Sequence, residues 1–383
     1  MSPIALLSVI SLGILSSIAL RGSKVLLTID ALELGATSAT VGILAALYAA
    51  LPLVVGVYAG KVSDRVGYRR PILWGAFGMG IALVVPIAIG GMSSLFICAA
   101  LLGLTHIFHH VAMHNAVGAF GGGNDRTRNF GTYALGQSIA ALIGPSLAGF
   151  AIDHAGHRAT FVILAVIAFM PALLIAIRVT VMPPHAPHQE KAASGTALDL
   201  LRIPSMRRTL IMGGATLTAI ELFSFYFPVY GKAIGLSASW IGIIMSINAA
   251  AGFVVRLVMH RLALRYTEVV VLTASLFVAG VCYMLIPMTT SVLLLATLSF
   301  VLGFGLGSAQ PLTIILTYNQ APPGRSGEAL GLRLTANKIT QIGVPLVFGT
   351  LSAALGVLPV FWAAAAFLIG GGLVSTVSRR RPQ

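Results

Sequence analysis

The sequence predicts an all-α membrane protein of twelve transmembrane helices, built as two six-helix bundles related by a pseudo-twofold axis. Three observations carry this. Of 383 residues, 57% are hydrophobic and 9% charged, where a soluble domain typically carries about 25% charge, so the chain is too poor in charge to cover a water-facing surface. Apolar runs recur along the whole length, many close to the roughly 20 residues a helix needs to cross a hydrocarbon core of about 30 Å. The second half also repeats the first at an offset of 200 residues, as in Gly35 and Gly235.

Taken in order, helices are expected at 4–31, 38–60, 71–91, 93–119, 129–152, 158–180, 208–231, 238–259, 269–288, 291–317, 327–352 and 357–377. The first lacks a basic stretch ahead of it and is followed by more membrane, which reads as a retained span and not a signal peptide. The prolines Pro183, Pro184 and Pro187 lie in the one substantial break of the apolar pattern. The expected organisation is therefore a bundle over 1–180, a linker over 181–207 and a bundle over 208–383. Cys98 and Cys282 fall far apart inside apolar runs, which argues for neither a disulfide framework nor a cysteine metal site.

Basic residues set the orientation, because cytoplasmic loops retain Lys and Arg. Lys61, Arg65, Arg69, Arg70, Arg126, Arg128, Lys191, Arg202, Arg207, Arg208, Arg261, Arg265, Arg325 and Arg379 to Arg381 fall on one side, and only Arg158 and Lys232 on the other. Both termini and the linker are expected in the cytoplasm, with the chain in a bacterial inner membrane. The net charge of +14 is thereby explained without a nucleic-acid partner.

The repeat is written in small residues. Gly35 to Ile43 aligns with Gly235 to Ile243, and the same register pairs Gly103 with Gly303, Gly131 with Gly331, Pro145 with Pro345, Gly149 with Gly349, Gly156 with Gly356 and Phe161 with Phe361. Six spans is an even number, so the copies insert in the same orientation. A pseudo-twofold axis along the membrane normal and alternating access around a midplane site follow.

Between spans two and three stands Gly60-Lys-Val-Ser-Asp64-Arg65-Val-Gly67-Tyr-Arg69-Arg70. This resembles the signature loop of the major facilitator superfamily, and the resemblance covers the whole chain. It implies a conformational latch at Gly60, Asp64, Arg65, Gly67 and Arg69, with the carboxylate held by a helix N-terminus or an arginine. The matching positions of the second half are His260, Arg261, Leu264 and Arg265, so the acid is missing there. Gly136 and Gly144-Pro145-Ser-Leu-Ala-Gly149 resemble the glycine-proline motif of the family's proton-coupled, drug-antiporter-like exporters. Close helix packing explains the same residues. The resemblance further implies that spans one, four, seven and ten line a central cavity, helped by two, five, eight and eleven.

Charges at membrane depth are costly and usually face a cavity. Arg21 and Lys24 lie in span one, Glu221 in span seven, and Arg333 and Lys338 in span eleven. Glu221 is the carboxylate expected at the centre of a span, and its repeat mate is Arg21. It reads either as a salt bridge between halves or as a proton site that loads when desolvated and releases beside a cation. The cations favour an anionic or zwitterionic substrate, although Arg333 lies near enough to a helix end to snorkel.

Span four carries His106, His109, His110 and His114, with 106, 110 and 114 on one helical face. Substrate binding or proton relay, packing, and a weak metal site at His106, His110 and His114 all remain open. Gln310 is the repeat mate of His110, and Asn337 that of Gln137. The candidate substrate contacts are Arg21, Lys24, His106, His110, Tyr226, Gln310, Asn337 and Lys338, with Glu221 and His110 as proton-coupling candidates. Tyr230 reads as an interfacial belt residue.

No phosphate loop or catalytic triad is visible. The expectation is a secondary transporter, not an enzyme, using no cofactor and acting as a monomer in lipid. It would move protons and a small organic solute, by export or by uptake of an organic anion. A metal or metal-chelate transporter is the further alternative.

Overall fold

The computed structural model describes residues 3–120, 123–177, 197–322 and 325–377. Regular structure among them is helical throughout: α1 (Pro3–Glu33), α2 (Ser38–Val66), α3 (Arg69–Ile89), α4 (Gly91–Ala119), α5 (Gly123–Ala176), α6 (Pro204–Ala233), α7 (Ala238–Tyr266), α8 (Glu268–Leu285), α9 (Val292–Gln320), α10 (Ser326–Leu355) and α11 (Val357–Val377), with 3-10 turns at Ala197–Arg202 and Ile286–Met288. Ten helices among the described residues are long and apolar enough to cross a bilayer. The longest, α5, breaks at the non-helical Gly156 (φ 79°) into two segments, and Val357–Leu373 of α11 is a shorter apolar helix. The twelve expected spans map one to one onto these segments.

Helix ends differ from expectation where polar residues continue a helical turn. The α2 helix runs on to Val66, where Gly67 at φ 77° ends it. The α6 helix starts at Pro204, inside the expected linker, because proline at the first helical position has its φ already set and gives up an N–H that would be unpaired there. Residues 178–196, which include most of the expected linker, and the arginines 379–381 lie outside the described residues.

The chain forms two compact units, Met1–Gln189 with Gly235–Ser246, and Glu190–Ile234 with Ile247–Gln383. In the first, α1 packs along α5, α3 along α4 and α5, and α2 along α4. One core of that unit gathers Val9, Leu12, Ile72, Met113, Tyr133 and Ile175. In the second, α8 packs on α9 and α11, while α6 packs on α9, α10 and α11. Large apolar side chains such as Val54, Trp74, Leu293 and Val347 remain on the surface, as expected where the solvent is lipid.

The repeat survives in backbone detail. Thr37 Oγ1 accepts from Thr40 N at 3.3 Å and its mate Ser237 Oγ accepts from Trp240 N at 3.3 Å, the side-chain capping that starts α2 and α7. Gly103 of α4 packs on the Tyr48 carbonyl of α2, and a Cβ there would lie 2.6 Å from that oxygen. Its mate Gly303 of α9 packs on the Asn248 carbonyl of α7, and a Cβ would overlap it. Residues 48 and 248 are themselves repeat mates, so both units use one contact.

One contact in the second unit has no counterpart. Pro311 inside α9 lacks the N–H that would bond the carbonyl four residues back, which is that of Gly307. Arg256 Nε on α7 donates to Gly307 O at 3.1 Å. Replacing Arg256 by Met is therefore expected to cost about 1–2 kcal/mol by leaving a part-buried carbonyl unpaired. In a Pro311→Ala background the cost should shrink, since the restored N–H takes over. A double-mutant comparison of apparent melting temperatures checks this, and equal costs in both backgrounds would refute it.

Candidate functional site

Each unit presents polar groups on helices that are otherwise apolar. In the first unit, span four places His106, His110 and His114 as a row, with ring centroids 5.2 Å apart for the first pair and 4.2 Å for the second. The row continues into α5, where the Tyr133 ring lies 5.1 Å and the Phe130 ring 6.1 Å from His114. His114 Nδ1 is 2.9 Å from the His110 carbonyl. A carbonyl only accepts, so that nitrogen carries a proton and a neutral ring would leave Nε2 as an acceptor.

His109 departs from the row. It is buried against α3, with Nδ1 3.2 Å from Ile72 O and Nε2 without a hydrogen bond, and its backbone is where a Cβ on Gly75 would collide. It is a packing residue. Among the described residues no group of three or more His, Cys, Asp or Glu is placed to hold a metal ion. The three imidazoles are tilted against one another, by 41° for the first pair and 52° for the second, as neighbouring rings along one helix.

Beside this row, Ser17 Oγ donates to Gln137 Oε1 at 2.7 Å, tying α1 to α5. The Lys24 ammonium lies 5.9 Å from the centre of the Tyr48 ring, and the Tyr48 hydroxyl is 3.0 Å from Ser23 Oγ. An ammonium over a phenol ring is attracted by the ring's quadrupole. Arg21 sits at a close approach of α5 to α1: a Cβ on Gly144 would be 2.9 Å from Arg21 Cβ.

In the second unit the carboxylate of Glu221, 7% exposed, accepts from Gln341 Nε2 at 3.2 Å, and Gln341 Oε1 accepts from Lys338 Nζ at 2.9 Å. The arrangement joins α6 to α10. Farther along α10, Arg333 Nη2 donates to Gln310 Oε1 at 3.1 Å and Thr313 Oγ1 at 3.0 Å. Arg333 is 6% exposed and its Nε is buried without a partner, so this arginine does not snorkel. Tyr226, 1% exposed, gives its hydroxyl to the Pro345 carbonyl at 3.0 Å, and Tyr230 donates to Thr289 O at 2.8 Å. Tyr226 thus ties α6 to α10, and Tyr230 ties α6 to the segment between α8 and α9. Asn337 is half-buried next to Lys338 on α10.

The loop between α2 and α3 is also ordered by its own residues. Arg69 Nη2 donates to Ile175 O at 2.9 Å, satisfying a carbonyl in the last turn of α5. Asn115 Nδ2 donates to Ser63 Oγ at 3.1 Å. Gly60 has open space around it and Arg65 is exposed. The side chain of Asp64, like those of His260, Arg261 and Leu264, lies outside the described residues.

Sequence reasoning did not single out Asp153. It closes the first segment of α5, and its carboxylate accepts from Ala238 N at 3.1 Å and Ser239 N at 2.7 Å. An anion on the first, unpaired N–H groups of α7 is favourable to both. Below it, a Cβ on Gly149 would overlap the Ala238 carbonyl and one on Gly242 the Pro145 carbonyl. The glycine-proline segment is thus a close seam of α5 with α1 and α7.

A family model described as Major Facilitator Superfamily matches residues 6–345. The chain belongs to that superfamily. It is a multi-pass membrane transporter that handles small-molecule substrates. The multidrug resistance protein MdtG of Klebsiella pneumoniae (strain 342) is 26% identical over 342 residues, 86% of this chain and 81% of its own. The human chromaffin granule amine transporter is 28% identical over 162 residues, 42% of this chain and 30% of its own. Among solved structures, a POT family transporter in complex with a thioalcohol-conjugated peptide superimposes with a TM-score of 0.82 at 15% identity, covering 99% of this chain and 96% of that one. A bacterial homologue of the human lysosomal transporter Spinster, inward-facing and occupied, gives 0.82 at 14% identity over 99% and 98%. These structural likenesses establish the fold alone.

Proposed function

We propose that this superfamily member is a proton-coupled exporter of a small zwitterionic or anionic organic solute, acting by alternating access in a bacterial inner membrane. Its bundles would be 1–180 and 208–383, with the joining segment and both termini in the cytoplasm. The observation that carries the reading is Glu221: a buried carboxylate, in contact with Gln341 and through it with Lys338. A proton taken up by Glu221 on one side and released on the other supplies the drive. The name of the 26% identical relative, a multidrug resistance protein, supports export. Arg21, Lys24, His106, His110, Tyr226, Gln310, Asn337 and Lys338 are the proposed substrate contacts, and a second acid-base group at His110 would serve the first unit.

The substrate's charge is linked to the direction of coupling. A zwitterion that offers its ammonium to Glu221 and its carboxylate to Lys338 competes with the proton, which gives antiport. A pure anion on Lys338 removes the cation that favours the ionised carboxylate, so proton and anion bind together. That outcome is symport, and it is the second reading of the same residues.

Thermal melting of the purified protein with amino acids and other zwitterions, carboxylates, organic phosphates and lipophilic cations tests the class, because a ligand that binds the folded state raises the transition. Zwitterions and carboxylates are expected to raise it most. Selective stabilisation by lipophilic cations would overturn the charge assignment.

A further inference from the structure

We propose that Arg333 receives the anionic group of the substrate on its way in from the cytoplasm, with Gln310 and Thr313 holding the guanidinium ready for it. This rests on the reading of the substrate as an anion or zwitterion and adds a residue to its proposed contacts.

A guanidinium carries five N–H groups and accepts nothing. In Arg333, Nη2 donates to Gln310 Oε1 at 3.1 Å and Thr313 Oγ1 at 3.0 Å, with a longer approach to the Gln310 carbonyl at 3.4 Å. Among the described residues the N–H groups of Nε and Nη1 have no acceptor, and Nε is buried. All the acceptors are neutral, and among the described residues no carboxylate takes a bond from this side chain. Glu328, whose side chain lies outside the described residues, stands five residues back on α10, about 140° around the helix from Arg333. A cation that is 6% exposed and has no counter-charge is costly, and an anion laid against it offsets that cost.

The fold itself does not demand a cation here. The repeat mate of Arg333 is Tyr133, which is 5% exposed and lies with its ring 5.1 Å from His114. An uncharged ring thus fills the corresponding place between spans five and four. What the guanidinium adds is a planar fork of donors, which matches a carboxylate or a phosphate. Room for such a group is left by α6, where a Cβ on Gly213 would meet nothing nearer than Thr313 at 3.6 Å, and one on Gly214 nothing nearer than Thr340 at 3.7 Å. In the proposed orientation α10 starts at the cytoplasmic face. Arg333 then lies about 10 Å along the helix and Lys338 about 18 Å along it, so an anion coming from the cytoplasm meets Arg333 first.

The test compares acids with their own primary amides, which keep the shape and lose the negative charge. Phenylalanine is paired with phenylalaninamide, benzoate with benzamide, and each further carboxylate that raises the melting transition with its amide. Titration calorimetry gives both dissociation constants for the native protein, Arg333→Gln and Arg333→Lys. The native protein is expected to prefer the acid. Arg333→Gln is expected to lower the preference about 10-fold or more, as for loss of hydrogen bonds to a charged group, by weakening the acid and leaving the amide as it was. Arg333→Lys keeps the charge without the fork and should fall between the two. A part played only in packing would weaken acid and amide alike. An unchanged preference in Arg333→Gln, or equal weakening of both compounds, would overturn the inference; if that variant does not fold, an unchanged preference in Arg333→Lys overturns it. A native protein that binds no acid better than its amide refutes the substrate class and the role of Arg333 together, whereas a native preference that both variants retain refutes the role of Arg333 alone.

Discussion

Glu221→Gln is expected to abolish substrate-driven proton movement in proteoliposomes while leaving the protein folded and able to exchange solute across the membrane. Glutamine keeps the volume and an acceptor oxygen for Gln341 Nε2, but it cannot carry a proton between the two sides. The solute used is whichever raises the melting transition most. With it, proton flux should fall at least 100-fold, and transport should no longer accumulate solute against a gradient. The residual exchange is the informative part. If the solute competes with the proton, the glutamine variant behaves as permanently protonated and binds it more weakly. If the solute binds together with the proton, the variant binds it as well as or better than the native protein. The sign of that change separates export by antiport from uptake by symport. Normal coupling in the variant would remove Glu221 from the mechanism.

Gly103→Ala and Gly303→Ala are expected to destabilise the two units alike. An added Cβ would sit 2.6 Å from the Tyr48 carbonyl oxygen at Gly103 and would overlap the Asn248 carbonyl at Gly303. Neither obstacle is a side chain that can swing away. The helices must separate, and overpacking of this kind costs about 1–3 kcal/mol or more, with Gly303 the more severe. Gly131 and Gly331 supply the control, being repeat mates with open space where a Cβ would go. Alanine there should leave the protein unchanged or raise its melting point, since alanine favours a helix over glycine by about 1 kcal/mol. Apparent melting temperatures in detergent compare the four variants. Indistinguishable melts for all of them would contradict the close approach of α4 to α2 and of α9 to α7.

Much of the fold was legible because lipid imposes its rules on every residue. Span number and the break near residue 181 follow from the length of apolar runs, and the repeat from glycines whose spacing a close helix contact cannot change. The capping pair Thr37 and Ser237 was aligned in the sequence before its bonds were visible. The site was legible in outline only. Glu221 and Lys338 were noticeable as charges at membrane depth, but that the amide of Gln341 lies between them depends on the rotation of α6 against α10. Periodicity alone does not set that rotation. His109 was named with the other histidines of span four, yet the helix turns it toward α3. Asp153 carried no signal, because an aspartate at the end of a span looks like any loop acid until α7 begins beside it.

The bond from Arg256 to the Gly307 carbonyl has a consequence for how this sequence can drift. A proline at position 311 without the arginine leaves a carbonyl unpaired in an apolar setting, and the arginine without the proline brings a charge to a place with less need of its donor. Either change alone is penalised, and together they offset each other. The first half preserves the state without them, with Gly56 and Val111 at the matching positions. The two positions should therefore be gained and lost as a pair among relatives, so that an arginine at one marks a proline at the other even where the surrounding sequence has changed beyond alignment.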